Sequence, residues 1–269
     1  MRVLNNEELG MKVVFVGYGK MGQLLEERLL DKGHVVTAVV DPAALAKKAL
    51  PSGAEVFASL KDALAVLKDA DAAIEFTLPG IAPENILFLA KEKIPVVCGT
   101  TGWYDKLPEI REAVESAGSS LLYSSNFSLG INLFYRIASH AAKLADPFKE
   151  YDVAGFETHH NNKADSPSGT AKTLVEKVLS QMSRKKKAVF EMLDRRPAED
   201  ELHYASMRVG SVPGTHSLVF DSAADTIEIT HTARSREGFA SGAILAAEWL
   251  CDRKLTGIFT IDDVLEEIL

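Results

Sequence analysis

The sequence predicts an α/β protein in which a doubly wound parallel-sheet domain is followed by a second α+β domain with a mostly antiparallel sheet. Up to about residue 126, short runs of β-branched residues alternate with helix-like segments, as in strands covered by helices on both faces. Beyond that point strand-like runs follow one another directly, which is typical of an antiparallel sheet. The 269 residues are enough for two such domains.

The first part of the chain supplies the elements of the parallel sheet in order. Strands are expected at residues 12–16, 35–40, 72–77, 95–100 and 121–124. Helices are expected at residues 21–32, 83–93 and 107–117, with an amphipathic segment at 59–70. The strands are continuously apolar rather than alternating, which indicates a sheet buried on both faces.

The second part changes character after about Asn126. A long helix at 131–145 precedes a strand at 151–157, a polar loop and a helix at 171–182. Further strands are expected at 188–193, 202–209, 216–222 and 225–233, and the last two have the spacing of a hairpin. The closing helices, 239–251 and 261–268, have apolar faces that we expect to pack on the first domain. We therefore assign residues 11–126 with 236–269 to one domain and 127–235 to the other.

Charge and composition narrow the possible functions. Lys and Arg number 30 against 38 Asp and Glu, and the net charge of -8 argues against general affinity for nucleic acid or anionic membranes. No apolar run is long enough to cross a bilayer, and the first ten residues lack an apolar signal core. The sequence thus predicts a cytoplasmic protein, with Cys98 and Cys251 reduced among apolar neighbours.

A glycine-rich turn follows the first strand. Residues 17–22 read Gly17, Tyr18, Gly19, Lys20, Met21 and Gly22, a GxGxxG pattern that opens the first helix. Such glycines let the backbone turn tightly and approach a pyrophosphate at the helix N-terminus, the Rossmann-type arrangement. Asp41 ends the second strand and can accept hydrogen bonds from ribose hydroxyls. A tight turn without a ligand is the alternative, but the strand–turn–helix context favours a dinucleotide site.

A polar run at residues 156–171, FETHHNNKADSPSGTA, concentrates groups that can exchange protons and bind anions. His159, His160 and Lys163 lie within five residues of one another. A metal site is one interpretation of the histidine pair, but adjacent residues of a strand point to opposite faces and no partner ligands are evident. We therefore predict no metal and favour catalysis on an anionic substrate over a surface loop.

The end of this run predicts the start of a helix. Ser166 suits the N-cap and Pro167 the first helical position, since proline fixes a helical φ and needs no hydrogen-bond partner. Ser168, Gly169 and Thr170 then form a first turn whose free N–H groups can cradle a carboxylate. The ammonium group of Lys163 is close enough in sequence to contact the same anion.

The segment from Glu157 to Ala171 closely resembles the signature of the dihydrodipicolinate reductase family. The resemblance extends over nearly the whole chain from Met11 onward. It includes the glycine-rich turn, GTTG at 99–102, SSNFSLG at 124–130, RVGSVPGTH at 208–216 and SREGFASGA at 235–243.

This resemblance implies a function. The substrate would be 4-hydroxy-tetrahydrodipicolinate, which loses water to give a cyclic imine dicarboxylate, and NADH or NADPH would reduce it. His159 would be the acid/base residue and Lys163 the proton donor, while His160 and the backbone of Gly169 and Thr170 would bind carboxylate. Arg236 is a further candidate carboxylate ligand. The resemblance also implies a homotetramer joined through the sheet of the second domain.

The resemblance also places the nicotinamide end of the cofactor site. It would lie at two short segments after strands of the first domain, Gly99, Thr100 and Thr101, and Ser124, Ser125, Asn126 and Phe127.

The chain departs from the family pattern near the adenosine end of the cofactor. Many relatives have an Arg in the glycine-rich turn and another after the second-strand acid, where this chain has Lys20 and Pro42. Asp41 should therefore repel a 2′-phosphate, with Lys20 and Lys47 or Lys48 as the nearby cations that offset the repulsion. We predict that both cofactors work and that NADH is preferred by roughly tenfold. Residues 1–10 have no counterpart in the pattern and are expected to be an extra N-terminal arm.

Two other functions compete with this one. Another two-domain nicotinamide oxidoreductase would need a different substrate loop, and a nucleotide-sensing regulator would be expected to have lost the His159 and Lys163 chemistry. The intact polar run favours the reductase over both.

Overall fold

The computed structural model describes residues 10–47 and 49–268, and the chain divides into two compact units. The first unit runs up to Ser128 and resumes at Glu237, and the second is Leu129–Arg236. The arm predicted for residues 1–10 lies outside the described residues, except for Gly10. Among the described residues, no helix has both the length and the apolar character needed to cross a membrane.

A seven-stranded parallel sheet forms the first unit. Its strands are β1 (Lys12–Val16), β2 (Val35–Val40), β3 (Glu55–Phe57), β4 (Ala72–Glu75), β5 (Val96–Cys98), β6 (Ser120–Tyr123) and β12 (Gly257–Thr260). Their order across the sheet is β12-β6-β5-β4-β1-β2-β3, and all neighbouring pairs are parallel. The chain moves outward from β1 to β3 and then returns to β4 on the other side of β1, which opens a crevice at the carboxyl ends of these strands.

Helices cover this sheet, as its apolar strands predict. They are α1 (Lys20–Asp31), α2 (Leu64–Leu67), α3 (Ala82–Lys91), α4 (Leu107–Ala117), α7 (Glu237–Arg253) and α8 (Ile261–Ile268). Val13, Val14 and Phe15 are all fully buried, so both faces of β1 are covered. The amphipathic segment at 59–70 contains only the short α2. The closing helices, α7 and α8, belong to the first unit.

The second unit pairs helices α5 (Leu129–Ala145) and α6 (Gly169–Leu179) with a five-stranded sheet. The strands are β7 (Asp152–His159), β8 (Lys187–Val189), β9 (Glu201–Arg208), β10 (Thr215–Asp221) and β11 (Thr226–Thr232), in the order β11-β10-β7-β9-β8. The predicted hairpin is β10–β11, with Asp221 opposite Thr226. The sheet is mixed rather than mostly antiparallel, because β7 pairs with β9, and β9 with β8, in parallel.

Strand β7 buries every second residue, so that one of its faces lies in the core of the second unit. Val153, Gly155, Glu157 and His159 are all buried, whereas the residues between them are more exposed. A Cβ on Gly155 would lie 2.5 Å from the ring of Tyr204, so glycine lets that buried ring pack against the strand. The alternation thus places two polar groups on the same buried face as the apolar core.

The start of α6 differs from the prediction. The helix begins at Gly169, and its N-cap is Ser168, whose hydroxyl accepts a hydrogen bond from the N–H of Ala171 at 3.1 Å. Ser166 and Pro167 precede the helix, so the N-cap predicted at Ser166 is wrong by two residues. Ser168 takes the position because it is also hydrogen-bonded to Glu157, a partner that the local sequence does not reveal.

Candidate active site

The segments predicted to bind the cofactor all follow strands of the first unit. The glycine-rich turn follows β1, Asp41 follows β2, Gly99 follows β5 and Ser124 follows β6. Because the sheet is parallel, these four points share its carboxyl edge, where α/β proteins bind their ligands.

The glycine-rich turn has the geometry that a pyrophosphate requires. Gly17 has a φ of +93°, and a Cβ there would lie 2.2 Å from the carbonyl oxygen of Phe76. A Cβ on Gly22 would lie 2.7 Å from the carbonyl oxygen of Gly17, so helix α1 packs directly on the turn. A Cβ on Gly19, the N-cap of α1, would meet no atom within 4 Å. The backbone is therefore open at the helix N-terminus, and these residues fit a dinucleotide.

Asp41 is held in place by the backbone. One carboxylate oxygen accepts a hydrogen bond from the N–H of Tyr18 at 2.6 Å, and the other accepts from the N–H of Ala43 at 2.8 Å. A carboxylate has about four acceptor sites, so room remains for ribose hydroxyls. The ammonium nitrogen of Lys47 lies 4.4 Å from the centre of the Tyr18 ring, beside the turn. Lys48 lies outside the described residues.

The predicted nicotinamide segments are ordered by their own hydrogen bonds. The hydroxyl of Thr100 accepts from the N–H of Thr77 at 2.8 Å, which joins the loops after β4 and β5. The hydroxyl of Ser124 accepts from the N–H of Asn126 at 3.1 Å, and Phe127 is buried against the ring of Phe76. Thr101 and Ser125 are exposed and Gly99 is half-buried, so part of this edge faces solvent.

In the second unit, strand pairing brings together groups that are distant in sequence. Glu157 of β7 lies opposite Ser206 of β9 on one side and His216 of β10 on the other. His159, two residues further along β7, lies beside Arg208. We call these five residues the polar cluster of the second unit.

Glu157 is the centre of this cluster. It is fully buried, and its carboxylate accepts hydrogen bonds from the N–H of Ser168 at 3.0 Å, the hydroxyl of Ser206 at 2.9 Å and the guanidinium of Arg208 at 3.2 Å. The hydroxyl of Ser168 is a fourth donor. Burial raises the pKa of this carboxyl, but the hydrogen bonds from Ser168 and Ser206 outweigh it and leave the pKa below its ordinary value. Glu157 is therefore ionised at neutral pH.

His159 lies against this carboxylate. Its Nδ1 is 3.4 Å from a Glu157 oxygen, and only a tenth of the side chain is exposed. Burial lowers the pKa of the imidazole; Glu157 opposes this, while Lys163 and Arg208 add to it. The pKa lies below its ordinary value, so His159 is mostly neutral at pH 7 and can take up or release a proton.

His216 completes the buried face. Its ring meets that of His159 edge-on, with centroids 5.2 Å apart, and its Nδ1 lies 3.1 Å from the hydroxyl of Tyr204. Burial lowers the pKa of His216 to about 4. Ligand atoms of Glu157, His159 and His216 lie within 4.8 Å of one another, a spacing compatible with a metal ion. We nevertheless assign this group to hydrogen bonding, because the Glu157 oxygens already hold four donors and the cation of Arg208 is among them.

Lys163 is paired with a neighbouring carboxylate. Its ammonium nitrogen lies 2.7 Å from an oxygen of Asp165. The pKa of Asp165 is lowered below its ordinary value, first by this hydrogen bond and further by the backbone N–H of Gly169. The carboxylate of Asp165 thus contacts both Lys163 and the start of α6, two of the groups predicted to hold a substrate carboxylate.

The other predicted substrate ligands differ in their placement. His160 is half-buried, and its Nδ1 is buried without a hydrogen-bond partner among the described residues. Ser168 is buried, and its hydroxyl donates to Glu157 and accepts from the N–H of Ala171. Arg236 is exposed at the end of the second unit and takes part in none of these contacts.

Four members of the polar cluster were not predicted from the sequence as site residues. Glu157 could have been found, since residues two apart on a strand share a face and His159 was already identified. Ser206, Arg208 and His216 were given no role, although the segment 208–216 is part of the family resemblance. Only the pairing of β9 and β10 with β7 brings them to the site.

The fold and the two sets of residues define a class of protein. A dinucleotide-binding sheet in one unit and a cluster of proton-exchanging and cationic groups in the other are typical of a nicotinamide-dependent oxidoreductase.

Comparison with known proteins identifies the family. Residues 11–127 match the family described as "Dihydrodipicolinate reductase, N-terminus", and residues 130–265 match "Dihydrodipicolinate reductase, C-terminus". The chain is 40% identical over 258 residues to the 4-hydroxy-tetrahydrodipicolinate reductase of Christiangramia forsetii, covering 96% of this chain and 99% of that protein. It is 35% identical to the same enzyme of Archaeoglobus fulgidus, covering 92% and 96%. The chain belongs to the dihydrodipicolinate reductase family.

Solved structures have the same fold. A dipicolinate-bound dihydrodipicolinate reductase from Paenisporosarcina sp. TG-14 aligns with a TM-score of 0.77 at 22% identity, covering 93% of this chain and 97% of that one. An amine dehydrogenase from Mycobacterium smegmatis aligns with a TM-score of 0.62 at 13% identity, covering 94% and 95%.

Proposed function

We propose that this chain uses NADH or NADPH to reduce 4-hydroxy-tetrahydrodipicolinate, by way of dihydrodipicolinate, to tetrahydrodipicolinate in the route to diaminopimelate and lysine. The observation that carries the proposal is the second unit's arrangement of a buried neutral histidine, a lysine and a helix N-terminus within one short segment. The relatives' names and the dinucleotide-binding sheet support it.

In this reaction the protein binds the substrate, orients it and moves protons. A bound reduced nicotinamide supplies the hydride. Lys163 donates a proton to the substrate from its ammonium group, which carries three N–H donors. His159 exchanges a proton through its imidazole, and its burial keeps that ring neutral in the free protein.

Two features of the second unit suit a dicarboxylate. The first N–H groups of α6, at Gly169 and Thr170, carry the positive end of the helix dipole. Lys163 and His160 supply further donors. Since Asp165 already contacts Lys163, a substrate carboxylate has to share that ammonium group or displace the aspartate. Ser168 contributes as the N-cap that fixes where α6 begins. Arg236 remains a proposed additional ligand.

For the cofactor we propose NADH as the preferred donor. Asp41 is ordered by two backbone N–H groups and presents its carboxylate beside the turn, where it suits a ribose 2′-hydroxyl better than a 2′-phosphate. Lys20 is exposed and Lys47 lies over the Tyr18 ring, so NADPH should still be accepted.

The deciding experiment is a coupled assay. Substrate is generated in place from pyruvate and aspartate semialdehyde by the preceding synthase, and oxidation of NADH or NADPH is followed by absorbance. Consumption of cofactor should require every component. Cofactor binding without turnover would support the regulator instead. Pyridine-2,6-dicarboxylate (dipicolinate), the planar dicarboxylate bound in the Paenisporosarcina structure, should compete with substrate.

The proposal also covers assembly and location. A homotetramer through the second unit is supported by apolar side chains exposed there, among them Leu144, Phe148 and Ile227, each more than half exposed. Light scattering in dilute buffer tests it, and a monomer at micromolar concentration contradicts it. A cytoplasmic location is supported by two cysteines that form no disulfide. Cell fractionation tests that location.

A further inference from the structure

Glu157 is a fully buried carboxylate to which the proposed reaction gives no chemical step. We propose that Glu157 is a positioning residue that holds the His159 imidazole and the first turn of α6 in one fixed arrangement. The inference rests on the proposed function, because it assumes that His159 exchanges protons and that the start of α6 binds the substrate.

The link to α6 passes through Ser168. The N–H and the hydroxyl of Ser168 both donate to the Glu157 carboxylate, the former at 3.0 Å. The same hydroxyl accepts from the N–H of Ala171 at 3.1 Å and so caps the helix. Glu157 therefore determines where the helix begins, and with it the direction of the N–H groups at Gly169 and Thr170.

Glu157 also lies next to the His159 ring, which its other neighbours hold in place. Nδ1 of His159 lies 3.4 Å from the Glu157 carboxylate, and its Nε2 faces Gly214, where a Cβ would come within 2.9 Å. The edge-on ring of His216 closes a further side. A carboxylate next to Nδ1 favours the tautomer that carries a proton on that nitrogen and leaves Nε2 to exchange protons.

The charges around His159 come from several elements. Glu157 of β7 is the neighbouring anion. The other titratable or charged neighbours are Arg208 of β9, Lys163 and His160 of the following loop, and the neutral His216 of β10. Of these, Glu157 favours the imidazolium form, whereas burial and the charges of Lys163, Arg208 and His160 disfavour it. Removing the charge of Glu157 should therefore make His159 harder to protonate.

The test compares two buried carboxylates of the same sheet. Glu201, at the start of β9, makes two hydrogen bonds of 2.8 Å to Arg195 and does not touch His159. Glu157→Gln and Glu201→Gln each replace an arginine-paired carboxylate by its neutral isostere. The histidine ring signals of isotope-labelled full-length protein are titrated by NMR, with the His159 signal assigned from the spectrum of His159→Gln.

In Glu157→Gln the titration of the His159 ring should move to lower pH. The limb of the pH–rate profile that His159 governs should move in the same direction, and kcat/KM should fall about 10- to 100-fold. Glu201→Gln should leave the titration and the profile where they are in the parent protein. An unchanged His159 titration in a folded Glu157→Gln variant would overturn the inference.

A second variant keeps the test independent of whether Glu157→Gln folds. Glu157→Asp retains the charge but is one methylene shorter, so it should raise KM by weakening the Ser168 contact and leave the His159 titration near its parent position. A parent-like KM for Glu157→Asp would also overturn the inference. Failure of the proposed function is distinguishable, because the unmodified protein would then show no turnover while the NMR titrations could still be compared.

Discussion

The glycine-rich turn of the first unit and the polar cluster of the second are both assigned to one reaction, but they are held in opposite ways. The turn depends on backbone atoms: Gly17 packs on the carbonyl of Phe76, and the N–H of Tyr18 donates to Asp41. The cluster depends on side chains of three strands and a helix that converge on Glu157. A backbone-held site should therefore be sensitive to added atoms, and a side-chain-held site to lost charges and lost donors.

The largest effect should come from removing a single charged group of the second unit. Lys163→Ala deletes the proposed proton donor and a contact to the substrate carboxylate, so kcat/KM should fall by about 10²- to 10⁴-fold. Steady-state kinetics at saturating cofactor measure this loss. Lys172→Ala, an exposed lysine of α6, is the matched control and should keep the parent rate. Near-parent turnover in Lys163→Ala would remove Lys163 from the mechanism.

The polar cluster should also make the protein sensitive to acid. Burial lowers the pKa of His216 from 6.5 to about 4, so between these values the unfolded chain binds a proton that the folded protein excludes. Above pH 6.5 His216 is neutral in both states and this effect costs no stability. As the pH falls from 6.5 toward 4, the unfolded chain gains the proton, so the free energy of unfolding falls. The expected loss is about 3 kcal/mol.

Urea unfolding at several pH values between 7.5 and 4 measures this dependence. His216→Asn should flatten it, whereas His140→Gln, which changes an exposed histidine, should not. Parent-like pH dependence in a folded His216→Asn variant would show that other groups carry the acid sensitivity.

Added atoms should disturb the glycine-rich turn in two distinguishable ways. Gly17→Ala places a Cβ in a left-handed backbone and against the Phe76 carbonyl, so the free energy of unfolding should fall by about 1–3 kcal/mol. Gly19→Ala is the control, because its φ of -74° suits alanine and its Cβ would meet no protein atom.

Denaturant titration and fluorescence titration with NADH separate the two variants. Gly19→Ala should keep the parent stability and bind NADH more weakly, since its Cβ would occupy the open side of the turn. Full-strength NADH binding by Gly19→Ala would show that the pyrophosphate does not approach the backbone there.

The smallest effect should be on cofactor choice. Asp41→Ser removes the carboxylate that repels a 2′-phosphate, so the NADH to NADPH ratio of kcat/KM should move toward or past unity from roughly tenfold, a change of about 1.4 kcal/mol. Lys47→Ala should move the ratio in the opposite direction. A strong preference of the parent protein for NADPH that survives Asp41→Ser would show that the lysines dominate.

Much of the fold was predictable, because its signals are local. The helix predicted at 107–117 is found with the same bounds, and the five predicted strands of the first unit are present. The edge strands β3 and β12 lack such a signal, since neither contains a fully buried residue. The mixed pairing of the second sheet was missed for another reason: strand direction depends on neighbours that are far away in the sequence.

The sequence alone determined the dinucleotide-binding turn, the histidine–lysine segment and the family, because each of these is written in consecutive residues whose backbone geometry or chemistry is local. Only the tertiary structure decided which groups surround His159. The pairing of β7 with β9 and β10 places Arg208 and His216 beside it. Glu157 holds the N-cap of α6 at Ser168 rather than at the predicted Ser166. The reason is physical: a buried carboxylate must collect hydrogen bonds from whichever strands the fold brings to it.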